Sequence, residues 1–196
     1  MRSLNQRAFA LSFGLTIASV CTLNARIGET TLQFVARYGP PKDTAVSKIN
    51  DKNFSLIEGA IHHTYEYQGW KIRAAFLQLN APAVRMDYQK ILTAGVDPVI
   101  KDYELQAIMA ANTPPGTTWK QVLYDNPNSP NTGGAKAVEG MIAGAAGQKM
   151  WQRSDGAILS LRSNLIVRVE LPIAREYEAK LKVDKEQKAR ASVPQF

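Results

Sequence analysis

Two adjacent histidines, His62 and His63, are the residues of this chain with the clearest capacity for chemistry. They lie in an alternating, aromatic and β-branched run from Ile61 to Tyr67, a pattern typical of a strand. Adjacent strand side chains point to opposite faces of a sheet, so the two imidazoles cannot chelate one metal ion together. We therefore predict no metal site, although a single imidazole can act as a general base. We expect one histidine at the sheet surface and the other half-buried with a backbone partner.

Three carboxylates, Glu66, Asp87 and Asp155, are the candidates for acid–base catalysis, and they form no pattern tied to a reaction. Lys71 is the expected cross-strand partner of Glu66, and Asp155 belongs to an Asp-Gly turn. The glycine pair at 133–134 lacks the lysine of a phosphate loop, and no serine lies in a nucleophile elbow. We assign no catalytic residue and expect no cofactor. A cell-envelope hydrolase that uses isolated carboxylates stays an alternative.

Aromatic side chains are concentrated in the segments that are predicted as strands. If one face of the sheet is not covered by a helix, exposed rings would form a binding surface for a protein or a saccharide. The other interpretation is core packing, because small sheets often fill themselves with aromatic residues. The candidate ligand-binding residues are Tyr65, Tyr67, Trp70 and Trp151.

A short helix with both ends marked precedes the first of these strands. Thr30 and Gln33 have the spacing of a capping box, in which each side chain satisfies an amide at the helix start. Gly39 suits the left-handed conformation that ends a helix, and the two prolines after it forbid continuation. The side chains expected on its buried stripe are Leu32, Val35 and Ala36.

An antiparallel meander follows a polar connector at 42–53. The strand at 61–67 leads through a two-residue turn at 68–69 into a second strand at 70–76. A third strand is predicted at 84–89, where apolar Val84, Met86 and Tyr88 alternate with Arg85, Asp87 and Gln89.

The same order of elements recurs further along the chain. The segment at 105–115 aligns with the one at 32–41 with one residue inserted, and Asn112 replaces the glycine that ends the first helix. Asp97 before Pro98 is expected to cap this second helix. Three further strands joined by short turns are predicted at 149–153, 157–162 and 165–171.

These patterns predict an α+β fold made of tandem helix plus antiparallel β-meander units, with the helices packed on one face of the sheet. The C-terminal helix carries several Glu–Lys pairs four residues apart, which favours a solvated helix that frays into a tail. The predicted divisions are a signal peptide at 1–25, a first unit at 26–92, a second unit at 93–172 with a Gly/Ala-rich loop at 125–147, and the charged C-terminal helix and tail at 173–196.

The N-terminus has the layout of a secretory signal. Arg2 and Arg7 precede an apolar stretch at 8–20, which is shorter than the roughly 20 residues that span a bilayer. Cleavage after Ala25 would leave a periplasmic or secreted domain. Alternatively, Cys21 lies in a degenerate lipoprotein box, and its acylation would anchor the protein in the envelope.

The composition limits which partners the protein can bind and whether it can form disulfide bonds. Cys21 is the only cysteine, so cleavage after Ala25 leaves a domain that is held by its core without a disulfide. The formal net charge of +7 comes from basic residues that are scattered rather than arranged in a stripe. We therefore expect no nucleic-acid partner, and membrane contact only if Cys21 is lipidated or the signal is uncleaved.

Three resemblances follow from these motifs. The helix from Gly28-x-Thr30 to Tyr38-Gly39-Pro40, followed by an aromatic strand, resembles the start of the small lipoprotein of the outer-membrane barrel-assembly machine. A tandem of such units is similar to the β-lactamase inhibitor protein fold, which implies a concave sheet. The signatures Arg26-Ile27-Gly28-Glu29-Thr30 and Trp151-x-Arg153-x-Asp155-Gly156 resemble uncharacterised exported proteins of environmental bacteria. None of these resemblances implies a catalytic residue.

The leading functional hypothesis is an exported, non-enzymatic binding or scaffolding protein of unknown ligand. Its expected partner is another envelope protein, contacted through the aromatic strands. Besides the hydrolase, a purely structural envelope protein is the other alternative.

Overall fold

The structure is a computed structural model in which residues 26–46, 56–122 and 149–192 are described. The predicted signal peptide at 1–25, with its single cysteine, and the Gly/Ala-rich loop at 125–147 lie outside these ranges.

In the described part of the chain, a helix followed by four strands occurs twice, and a long helix ends the order. No helix in these ranges is both long and apolar enough to cross a membrane. The helices are α1 (Thr31–Tyr38), α2 (Asp102–Ala111) and α3 (Pro172–Ala191). The strands are β1 (Asp43–Val46), β2 (Ile61–Tyr67), β3 (Trp70–Phe76), β4 (Ala83–Lys90), β5 (Trp119–Val122), β6 (Lys149–Arg153), β7 (Ile158–Arg162) and β8 (Ile166–Glu170).

All eight strands form one antiparallel sheet in the order β1-β2-β3-β4-β8-β7-β6-β5. The last strands of the two four-stranded sets, β4 and β8, lie side by side, with Met86 opposite Val169 and Tyr88 opposite Val167. This confirms the α+β fold with an antiparallel sheet.

Two hairpins turn on backbone conformations that their residues tolerate. Gln68 and Gly69 between β2 and β3 have φ of 47° and 81°, and Ser163 and Asn164 between β7 and β8 have φ of 49° and 55°. Positive φ at both central residues gives the turn a twist that matches the strands. Both two-residue turns were predicted, and the structure confirms them.

One face of the sheet is covered by α1 and α2, which share a core with the sheet. Phe34 is fully buried, with its ring 5.5 Å from that of Tyr65 and 5.6 Å from that of Phe76. The stripe predicted for α1 is wrong, since Leu32 is 73% exposed and Val35 and Ala36 are exposed as well. The helix instead turns its larger aromatic side chains, Phe34 and Tyr38, toward the sheet, because they are four residues apart and bury more area.

The third helix lies on the opposite face, which differs from the expectation that all helices pack on one face. Ala174 of α3 is fully buried in a second cluster with Ala75 and Val84. Ala75 alternates along β3 with Ala74 and Phe76, which belong to the first cluster, so the two clusters lie on opposite sides of the sheet. Small side chains allow this close approach.

Two local predictions are also corrected. Asp43–Val46 forms an edge strand within the segment that was predicted as a polar connector. Asp97 does not cap α2, whose N-cap residue is Lys101. The Asp97 carboxylate instead accepts a hydrogen bond from the Val99 amide at 2.9 Å and pairs with Lys101 at 2.6 Å, so it shapes the loop before the helix.

Candidate functional site

Tyr65, one of the predicted binding residues, lies in the core. It is fully buried on the face of the sheet that α1 covers, between Phe34 and Tyr38, whose rings are 5.5 and 5.6 Å away. Burial raises the pKa of its hydroxyl to about 12. A ring in this position presents no surface to a partner, so Tyr65 has a packing role.

Tyr67 and Trp70 form what we call the hairpin aromatic pair. They lie directly opposite each other at the turn between β2 and β3, and both are half-buried. The ring of Tyr38 is 5.2 Å from that of Tyr67 in an edge-on arrangement, and this contact packs the Tyr67 ring against α1. The pair thus combines fixed rings with access to solvent.

Trp151 lies far from this pair. It is half-buried on β6, which is separated from β3 by four strand spacings or about 19 Å. Its neighbour on the same face is Trp119, whose indole N–H donates to Thr113 Oγ1 at 2.8 Å. The guanidinium of Arg153 stacks 5.4 Å from the centre of the Trp119 ring. The structure therefore divides the four predicted aromatic residues between the core and two ends of the sheet.

A buried side-chain amide joins three parts of the molecule. It belongs to Asn112, at the end of α2. Asn112 is fully buried, and its Oδ1 accepts a hydrogen bond from the Ile27 amide at 2.8 Å. Its Nδ2 donates to the Tyr88 hydroxyl at 3.0 Å and to the Ile108 carbonyl at 2.8 Å, and Arg153 donates to its backbone carbonyl. Its φ of −102° is not left-handed. Asparagine therefore suits this position because of its buried hydrogen bonds, not because of its backbone conformation.

Ion pairs lie beside the second apolar cluster on the face of the sheet that α3 covers. Arg168 on β8 donates to both carboxylate oxygens of Asp87 on β4, at 2.7 and 2.9 Å. Arg85 bridges Glu170 of β8 and Glu178 of α3, with contacts of 2.6 Å to each. All of these side chains except Glu178 are buried. The charged residues that alternate along β4 are buried here because the cross-strand pairs supply their counter-ions.

The three candidate catalytic carboxylates are not brought together. Glu66 is exposed opposite Lys71, as expected, and β3 separates it from Asp87, a distance of about 10 Å between strands. Asp155 accepts two hydrogen bonds from Arg153, at 2.8 and 2.7 Å, and these contacts lower its pKa. A general acid needs a raised pKa, so Asp155 is held in the wrong protonation state for that role.

The two histidines point to opposite faces, as predicted, but both are buried. His62 is 3% exposed, and its Nε2 lies 3.2 Å from both the backbone nitrogen and the backbone oxygen of Ile57. His63 is 7% exposed, and its Nδ1 lies 3.1 Å from the Tyr65 hydroxyl. Burial lowers the pKa of each, which favours neutral imidazole. Within the described ranges, no group of three His, Cys, Asp or Glu side chains could hold a metal ion.

Comparisons with known proteins assign no relative to this chain. No protein-family model matches it, and neither curated proteins nor solved structures give a match. The likeness to the barrel-assembly lipoprotein and to the inhibitor fold stays a prediction.

Proposed function

We propose that this chain is an exported protein of the bacterial envelope, periplasmic or secreted, that binds another envelope protein and does not act by catalysis. The basic and apolar pattern at 1–25 supports export. The repeated order of one helix and four strands supports an origin from tandem units, and their shared core makes a rigid scaffold.

The hairpin aromatic pair is the observation that carries the binding function. Tyr67 and Trp70 are among the residue types that supply most of the energy in protein interfaces. Packing against the core fixes both rings, so little side-chain entropy is lost when a partner covers them. The exposed turn residues Gln68 and Gly69 between them leave room for a partner's backbone.

The carboxylates support the non-enzymatic part of the proposal. Asp87 is held by two hydrogen bonds from Arg168, and Asp155 by two from Arg153. Each of these two carboxylates already has a structural partner, and Glu66 lies exposed on another strand, β2. A charge that stabilises a fold through its own counter-ion is not poised to transfer a proton to a substrate.

Capture from an envelope fraction tests the proposal. Purified wild-type protein should recover a partner by chemical cross-linking, and Trp70→Ser should reduce that recovery at least tenfold. Leu79→Ser is the matched control, because Leu79 is 71% exposed in the turn after β3, at the opposite end of that strand from Trp70. Tyr65 is unsuitable as a test position, because its replacement would open the core.

Circular dichroism and urea denaturation of each variant separate lost binding from lost folding. Equal recovery by folded Trp70→Ser and Leu79→Ser would contradict the proposed surface. If the wild-type protein recovers no partner and deletion of its gene changes only cell shape, the protein has a purely structural role and not a binding role. Hydrolysis of a wall polymer that is lost on alanine substitution at Glu66, Asp87 or Asp155 would establish the hydrolase alternative.

A further inference from the structure

The backbone is fixed from Ile27 onward. Ile27 is 5% exposed, and its amide donates to the buried side chain of Asn112. The next residue, Gly28, donates to the Ala83 carbonyl at 2.9 Å, and the Ala83 amide donates back to the Glu29 carbonyl at 2.8 Å. Three consecutive residues before α1 are therefore hydrogen-bonded to the core or to β4.

Arg26 precedes this fixed segment and has a different contact. Its backbone nitrogen lies 3.5 Å from Oε2 of Glu29, the outer limit of a hydrogen bond. The other oxygen of that carboxylate, Oε1, accepts a hydrogen bond from Arg37 at 2.5 Å. The side chains of Glu29 and Arg37 are only 12% and 13% exposed. The largely buried Glu29 carboxylate thus directs one oxygen at the Arg26 nitrogen. The hydrogen bond between them is long and weak while that nitrogen is an uncharged amide.

We propose that export hydrolyses the Ala25–Arg26 peptide bond and that Glu29 is the counter-ion of the α-ammonium group formed on Arg26. Water supplies the co-reactant: the amide C–N bond breaks, a carboxylate forms on Ala25, and the released amine takes up a proton. The long amide contact then becomes a charge-assisted hydrogen bond. This inference rests on the export proposed above and names the processing site.

Neighbouring positions suit a charged terminus less well. A cut one residue later would place the ammonium group on Ile27, where the amide now donates to the buried Asn112. Burial of that charge would be costly. Acylation at Cys21 would leave the Arg26 nitrogen as an uncharged amide, and Glu29 would have only Arg37 as its cation.

The test uses the full-length chain, expressed with its N-terminal segment and purified after export. Intact-mass measurement should show a protein that begins at Arg26. The α-amino pKa is then measured by NMR titration after reductive ¹³C-methylation, which retains the charge. We expect it to lie about one unit above the ordinary value of roughly 7.7–8.0. Glu29→Gln should remove the increase, Arg37→Gln should enlarge it, and Glu66→Gln, an exposed carboxylate on β2, should leave it unchanged.

Several results would overturn the inference. These are a different first residue, an acylated Cys21, an uncleaved chain, or an α-amino pKa that Glu29→Gln does not change. The outcome is independent of the proposed binding surface. A protein that begins at Arg26 with a raised α-amino pKa supports this inference even if Trp70→Ser still recovers every partner.

Discussion

Buried polar side chains, together with the apolar core, connect the separate parts of this molecule. Asn112 links the segment before α1, the end of α2 and strand β4 through hydrogen bonds of 2.8–3.0 Å. A buried amide is stabilising only when its donors and acceptors are paired, and here both ends of the side chain are. Position in the fold, not the residue type, reveals this role.

Replacing Asn112 by alanine should lower the free energy of unfolding by about 2–4 kcal/mol, because the Ile27 amide is left without its acceptor inside the core. Urea denaturation measures the change. Gln121→Ala, at an exposed position of β5, is the control and should stay within about 0.5 kcal/mol of wild type. A loss for Asn112→Ala as small as that of the control would contradict the role.

The Asp87–Arg168 pair should show strong coupling in a double-mutant cycle. Asp87→Leu or Arg168→Met alone should cost about 3–5 kcal/mol, because each removes one half of a buried ion pair that is joined by two hydrogen bonds. The double variant should lose less than the sum, with a coupling energy of about 1–3 kcal/mol. The Asp97–Lys101 pair, in which both side chains are exposed, is the control and should show much weaker coupling. Equal coupling in the two cycles would refute the structural role of the buried pair.

His62 should make stability depend on pH. Its pKa in the folded protein is lowered by burial, and Arg73 and Arg85 lower it further, while Asp87 and the contact with Ile57 oppose this. A lowered folded-state pKa means that the unfolded chain binds the proton first, so stability is complete above about pH 6.5 and falls as the pH drops below it.

Urea denaturation from pH 8 to pH 5 checks this dependence. The free energy of unfolding should decline below about pH 6.5 in wild type, and His62→Gln should decline less steeply. His63, whose pKa is also lowered, accounts for part of the remaining slope. Identical slopes for wild type and His62→Gln would contradict a neutral buried imidazole.

At the scale of elements, the hairpins were predictable and the edges were not. β2 and β3 have the predicted bounds, since strict alternation and a two-residue turn determine both strands and register. β1 and β5 are only four residues long and lie at the two edges, too short for alternation to be visible.

Several of the failed predictions share one physical cause, which is that burial depends on the element that packs against a residue. α1 carries apolar residues on both sides, and only the sheet decides that Phe34 is buried and Leu32 exposed. The charged residues of β4 are buried because β8 supplies their counter-ions from about 80 positions further along the chain. The site predictions were limited in the same way, because a single strand does not show that Tyr65 faces α1.

The β2–β3 turn offers a test at this scale. Gln68 has a φ of 47°, which asparagine adopts more readily than glutamine. Gln68→Asn should therefore raise the free energy of unfolding by up to about 1 kcal/mol, measured by urea denaturation. Gly69→Ala, with φ of 81° at that position, should lower it by at least as much. Destabilisation by Gln68→Asn would show that the turn has another conformation.

For the molecule as a whole, the pairing of β4 with β8 has the widest consequences. It joins two sets of one helix and four strands into one sheet and lets α1 and α2 share a core. It also supplies counter-ions to the charged residues of β4.

Backbone NOEs between β4 and β8 test this arrangement most directly. We predict antiparallel contacts that centre on the pairs Met86–Val169 and Tyr88–Val167, as strong as those across the β2–β3 and β7–β8 hairpins. If both hairpins give their contacts while β4 and β8 give none, the protein has two separate sheets and this account is wrong.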